Sequence, residues 1–269
     1  MDNDFLKKIS EFYYATTLGI YIDEKIDYDN FSIAYSNNIK DLYCNFAFNL
    51  NIQNEQDFNE AFNDIKNEMK KVGRKPTFSI TPLQTYLYTN KDTVLNKRFK
   101  IVSKEVWKIF DDFDSLENIK NNFNYKIKIE KTEDFEKFGQ ELYESFKGDD
   151  SDPYNGLDIE YINTLIRFNE KKSLVSFKNE FYFIKHNNEI IGTIASAYDN
   201  IFFDIHGFAI KKDYRKKGIG KTVLKEILKI CKEKNKIAFI QTEKGYYPEK
   251  FYSNFGFKDI CIDYYYQEQ

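Results

Sequence analysis

From about residue 125 onward the apolar positions fall into a regular succession of two periods. "YKIKI", Tyr125 to Ile129, alternates with period two and predicts a strand. Thr132 then starts a helix with Glu133 and Asp134 in its first turn, where carboxylates suit the helix dipole. Phe135, Phe138, Leu142 and Phe146 recur on one face of that helix. "GDDSDPYNG", Gly148 to Gly156, reads as a loop by its glycine, proline and Asx content, and a shorter helical pattern follows at Tyr161 to Phe168. "EFYFIKH", "EIIGTIASAY" and "IFFDIHGFAI" are β-rich runs split by Asn187–Asn188 and Asp199–Asn200, which predicts three consecutive antiparallel strands. Val223, Leu224, Ile227, Leu228 and Cys231 then form a helical stripe. "KIAFIQT" predicts another strand, a short helix passes through Phe251 and Tyr252, and "FKDICIDYYY" closes with β character.

The N-terminal half repeats this layout in a worn form. "DLYCNFAFNL" predicts a strand, and Phe58, Phe62, Ile65 and Met69 an amphipathic helix that ends near Gly73. "PTFSI" and "FKIVSKEVWKIF" follow as β-like runs. Between its strand and its helix this half carries "NIQNEQDF", with no glycine-rich basic loop. The acidic, asparagine-rich connection "DDFDSLENIKNN" places the division near residue 124, giving units of 1–124 and 125–269.

Composition narrows the possibilities. With 269 residues, 42% of them apolar, the chain has material for two cores, while a net charge of −3 argues against nucleic acid as the main partner. "MDNDFLKK" lacks the basic stretch and apolar run of a secretion leader, and no run approaches the ~18–20 apolar residues of a membrane span. The expectation is therefore a cytoplasmic protein in which Cys44, Cys231 and Cys261, widely spaced and odd in number, stay free thiols. Two histidines, His186 and His206, leave little from which to build a histidine metal site, so no metal is expected. Oligomeric state leaves no trace in the sequence.

The most informative stretch is "RKKGIGKT", Arg215 to Thr222, in which six of eight residues are basic or glycine, just ahead of a helical segment. A Walker A loop would need glycine where Arg215 stands, and a dinucleotide-binding loop would need a third glycine where Val223 stands. The pattern that remains is R-x-x-G-x-G after a strand and opening a helix, whose first amides have no internal partner and suit an anion. Gly218 and Gly220 allow close backbone approach, and Lys211, Lys212, Arg215, Lys216, Lys217 and Lys221 surround the loop with positive charge. With "FAIKKDYRKKGIGKTVLKEIL" and "FYSNFGF", residues 125 to 266 resemble the GNAT superfamily of acyl-CoA-dependent N-acyltransferases.

The resemblance implies an α/β (α+β) fold: a mixed, mostly antiparallel sheet flanked by helices, as two GNAT-like domains in tandem, with the N-terminal copy degenerate. It implies acetyl-CoA as cofactor and a small-molecule or peptide amine as acceptor. The main chain of Phe208, Ala209 and Ile210 would pair with the pantetheine arm, and the loop from Arg215 through Lys216, Lys217, Gly218, Ile219, Gly220 and Lys221 would hold the pyrophosphate. Tyr252 would protonate the leaving thiolate; the alternative is that it packs between Phe251 and Phe255. Period-two alternation puts Asp204, His206, Phe208 and Ile210 on one strand face, so either Asp204 or His206 is the candidate base. Where the family often carries asparagine, seven residues before the tyrosine, this chain has Gly245. The rival readings are a non-catalytic acyl-CoA-binding protein, a nucleic-acid binder, and a transferase that uses another acyl donor.

Overall fold

The alternating and helical segments fold as strands and helices in a computed structural model that describes residues 2–18, 20–95, 98–119, 125–147, 157–171 and 177–269. The loop expected at Gly148 to Gly156 and the division expected near residue 124 lie outside the described residues. Two units emerge: Met1–Lys108 with Gln241–Ser253 and Asp259–Gln269, and Ile109–Ile240 with Asn254–Lys258. The last strand falls in the first unit from Asp259 onward.

In the first unit, α1 (Asn3–Thr17) begins at Asp2, whose carboxylate accepts from the Asp4 amide. β1 (Glu24–Asp27), β2 (Ser32–Tyr35) and β3 (Phe46–Phe48) pair antiparallel in that order. Only Phe46–Phe48 of "DLYCNFAFNL" is strand; Leu42–Cys44 coils into a 3-10 turn because the Asp41 side chain accepts from the Tyr43 amide. α2 (Glu55–Lys71) starts at Asn54, whose side chain accepts from the Asp57 amide at 3.0 Å. It ends at Gly73, φ +68°, where the Arg74 amide closes back on the Met69 carbonyl. Then come β4 (Thr77–Ile80), α3 (Thr85–Val94) and β5 (Phe99–Phe110), and finally β11 (Lys258–Glu268), which pairs antiparallel with β4 through Tyr264↔Ile80 to Gln267↔Thr77. Phe58, Phe62, Ile65 and Met69 of α2 pack on Phe78, Phe99 and Tyr266, so the stripe seen in the sequence is core.

The second unit is a sheet in the order β10-β9-β8-β7-β6. β6 (Ile127–Thr132), β7 (Lys178–His186), β8 (Glu189–Tyr198) and β9 (Phe202–Ile210) are successive antiparallel neighbours, and β10 (Ile237–Glu243) runs parallel to β9. Thr132 does not open the following helix: it is the last ladder residue of β6, paired with Phe181, and α4 (Phe135–Phe146) starts at Asp134, which accepts from the Lys137 amide. α5 (Glu160–Lys171) packs on α4, with Gly139 of α4 letting the Ile162 backbone come close. α6 (Ile219–Glu233) buries Val223, Leu224, Ile227, Leu228 and Cys231, the stripe the sequence predicts. α7 (Tyr247–Phe255) is the short helix through Phe251 and Tyr252.

One glycine of this sheet is fixed by space. A Cβ on Gly192 would stand 2.3 Å from the Ala209 carbonyl oxygen, a main-chain atom that cannot swing aside. Gly192→Ala is expected to destabilise the protein by about 1–3 kcal/mol or more, as overpacking does. Urea unfolding checks this, and an unchanged midpoint would show that β8 and β9 separate easily.

Candidate active site

The site begins where β9 loses its β10 neighbour. Its parallel ladder with β10 covers Phe202↔Ile237, Phe203↔Ala238 and Asp204↔Phe239 and stops there, although β9 continues to Ile210. On the other side, β8 pairs Ala195 with His206 but Thr193 with Ala209, so β9 carries one extra residue at Gly207–Phe208. Gly207 has φ +56°, a conformation that side chains resist. A bulge between diverging strands turns main-chain groups away from regular sheet pairing, which is what a ligand lying along the strand needs.

The bulge changes the face count. Asp204 and His206 do share a face: His206 Nδ1 lies 3.1 Å from Asp204 Oδ2, with Asp204 buried and the His206 side chain 15% exposed. The extra residue then reverses the alternation, so Ala209, and not Phe208 or Ile210, follows them on that face. The sequence held the signal, a glycine inside a strand.

After β9 the chain makes a 3-10 turn at Lys212–Tyr214, passes Lys216 at φ +58° and Gly218 at φ +79°, and enters α6. Gly218 is the N-cap and supplies no capping side chain. The first internal bonds of the helix are those from Lys221 and Thr222 to the Gly218 carbonyl, so the amides ahead of them have no acceptor within the helix. Lys216, Lys217, Gly218 and Lys221 are exposed around them, whereas Ile219 is buried and offers only its main chain. Amides at the positive end of a helix, a glycine with left-handed backbone and three exposed lysines fit a pyrophosphate. The start of α2 in the first unit differs in kind: there the Asn54 side chain accepts from the Asp57 amide and caps the helix end.

Arg215 directs its guanidinium at two main-chain carbonyls. Its Nε donates to the Ile210 carbonyl at 2.7 Å and its Nη2 to the Ser145 carbonyl at 2.6 Å, so the guanidinium ties the loop to β9 and α4. Glu141, unremarkable in the sequence, holds Lys211 at 2.7 Å. Tyr252 lies buried in α7, its ring 5.2 Å from that of Phe251, in the segment assigned to the first unit. Gly245, φ +84°, makes the turn before α7, and its amide donates to Glu249 at 2.6 Å.

The site thus joins a bulged strand that outlasts its ladder with its parallel neighbour to a glycine-rich helix start without a side-chain cap. Residues 138–257, in the C-terminal half of the chain, match the acetyltransferase (GNAT) family. Solved structures carry the fold over most of the chain. A GCN5-related N-acetyltransferase from Kribbella flavida superposes with TM-score 0.64 at 10% identity, covering 96% of this chain and 95% of its own. A tandem GNAT protein from the clavulanic acid biosynthesis pathway gives 0.62 at 9% identity over 88% of this chain and 78% of its own. A functionally unknown conserved protein from Staphylococcus epidermidis gives 0.63 at 15% identity over 93% and 96%. The fold is thus the mixed, mostly antiparallel GNAT fold in the tandem arrangement expected from the sequence. No curated protein matches the chain. Members of the family typically use acetyl-CoA. Among the described residues no helix is long and apolar enough to cross a membrane.

Proposed function

We propose that the protein is an N-acetyltransferase that moves an acetyl group from acetyl-CoA to an amine, with its working site in residues 125–269. The observation that carries this reading is the end of the β9–β10 ladder at Asp204, beside the Gly207–Phe208 bulge and ahead of the Gly218 loop. Acetyl-CoA, when bound, supplies the activated acyl group. The main chain of Phe208, Ala209 and Ile210 orients the donor, and the amides from Lys216 to Lys221 bind its pyrophosphate with the charge of Lys216, Lys217 and Lys221. Asp204 and His206 act together on the acceptor proton: the Asp204 carboxylate holds Nδ1 of His206, which leaves Nε2 as the atom that takes the proton. Tyr252 returns a proton to the departing thiolate from its hydroxyl. Residues 1–124 are on this reading a degenerate copy, which "NIQNEQDF" and the Asn54-capped α2 support. The protein works in the cytoplasm.

Thermal-shift titration with acetyl-CoA tests the reading. Wild type is expected to gain about 2.7 kcal/mol of stability at 100 times the Kd, and Gly218→Asp none, because a carboxylate and a Cβ would then stand at the φ +79° position facing the anion. A shift without acetylation of any amine in a broad panel would favour the non-catalytic binding protein. A shift with longer acyl-CoAs alone would favour another donor, and no shift at all would sink the assignment.

A further inference from the structure

The basic residues of the loop divide into two sets by their partners. Lys216, Lys217 and Lys221 are exposed, whereas Lys211 and Arg215 are turned back onto α4. Glu141 of α4, buried on a helix whose other acids face solvent, holds Lys211 Nζ at 2.7 Å through one carboxylate oxygen and Lys137 at 3.0 Å through the other. One turn further along the same helix, the Ser145 hydroxyl donates to the Glu141 carbonyl at 2.7 Å, and the Ser145 carbonyl accepts from Arg215 at 2.6 Å. The Lys211 amide is itself pinned to the Ile191 carbonyl of β8 at 2.9 Å. Two consecutive turns of α4 therefore grip the loop at Lys211 and at Arg215, just before its two left-handed residues, Lys216 and Gly218.

We propose that Glu141 is a positioning residue for the donor loop: with Arg215 it clamps the segment between β9 and α6 onto α4, so that the amides beyond are preorganised for an anion. This rests on the reading of the loop as a donor site. The clamp makes the placement of a negative charge beside an anion site intelligible. If charge alone mattered, Glu141 would repel the donor, and removing it would tighten binding. If geometry matters, removing it frees the loop, and the ordering it supplied must then be provided on binding. The two views differ in sign.

The experiment is calorimetric titration of coenzyme A into wild type, Glu141→Gln and Arg215→Lys, with donor KM and kcat measured in parallel. Glu141→Gln is expected to weaken binding about tenfold. Arg215→Lys, which keeps the charge but cannot span two carbonyls, is expected to do the same. In both variants donor KM rises while kcat at saturating donor stays near wild type. Equal or tighter binding by Glu141→Gln, or wild-type binding by Arg215→Lys, would overturn the clamp. Should Glu141→Gln fail to fold, Arg215→Lys decides alone. Failure of wild type itself to bind coenzyme A would instead remove the donor-site reading on which the clamp stands.

Discussion

Replacing Asp204 with asparagine is expected to lower the turnover of amine acetylation by about 10²–10⁴-fold while leaving acetyl-CoA affinity within a few-fold. His206→Ala is expected to cost a similar factor. The reason is geometric: with His206 Nδ1 3.1 Å from Asp204 Oδ2, the carboxylate fixes the ring and the tautomer, and an amide at position 204 can hold the opposite tautomer. Groups that act as one unit fail as one unit, so the double variant should be barely slower than either single one. Losses that multiply would mean that the two side chains serve separate steps. A His206→Ala enzyme with near-normal turnover would hand the base role to Asp204 alone. Both residues precede the Gly207–Phe208 bulge, whereas the phosphate loop begins only after β9, which is why donor affinity serves as the internal control.

Much of the second unit was legible because its signals are local. Asn187–Asn188 and Asp199–Asn200 announce hairpins whose strands pair with their sequence neighbours, and each amphipathic stripe reports its own helix. Gly218 was legible for a chemical reason: a glycine between basic residues at a helix start has few other uses. What stayed hidden depends on contacts between residues far apart in the chain. Glu141 reads as one more acid on a solvated helix until Lys211 is found against it. Nothing near Arg215 in the sequence announces that its guanidinium reaches the Ser145 carbonyl, 70 residues away. The bulge at Gly207 moved Phe208 and Ile210 off the face of Asp204, which no strict alternation anticipates. β11 carries strand chemistry plainly, but nothing local to "FKDICIDYYY" says that its partner is β4.

The first unit carries a different consequence, readable in its stability. Glu105 and Asp263 are buried there among tyrosines. Tyr13 and Tyr265 donate to Glu105 Oε2 at 3.3 and 3.2 Å, and the Tyr14 hydroxyl shares a hydrogen bond of 3.2 Å with Ser79. Burial pushes Glu105 up to about 8, the neighbouring Asp263 charge adding to it and the tyrosine hydroxyls working against it. Burial likewise pushes Asp263 up to about 7, opposed by Ser79 and Tyr265. Both acids therefore keep protons in the folded protein that the unfolded chain has already released. Between about pH 4 and pH 8 the native state binds the extra protons, so stability falls as pH rises and levels off above. At ~1.4 kcal/mol for each unit of displacement, the total fall is on the order of several kcal/mol. The oppositely shifted acids, such as Glu130 held at about 2 by Lys128 and Lys185, act only below this window. Denaturant unfolding of wild type, Glu105→Gln and Asp263→Asn from pH 5 to pH 9 measures it. The variants should gain stability over wild type toward pH 9, match it near pH 5, and show a flatter profile. Because burial is the larger cause for each acid, each single variant should remove only part of the fall, and the double variant most of it. Stability that climbs from pH 5 to pH 8 in wild type, unaltered by either substitution, would mean that these carboxylates meet water in the folded unit.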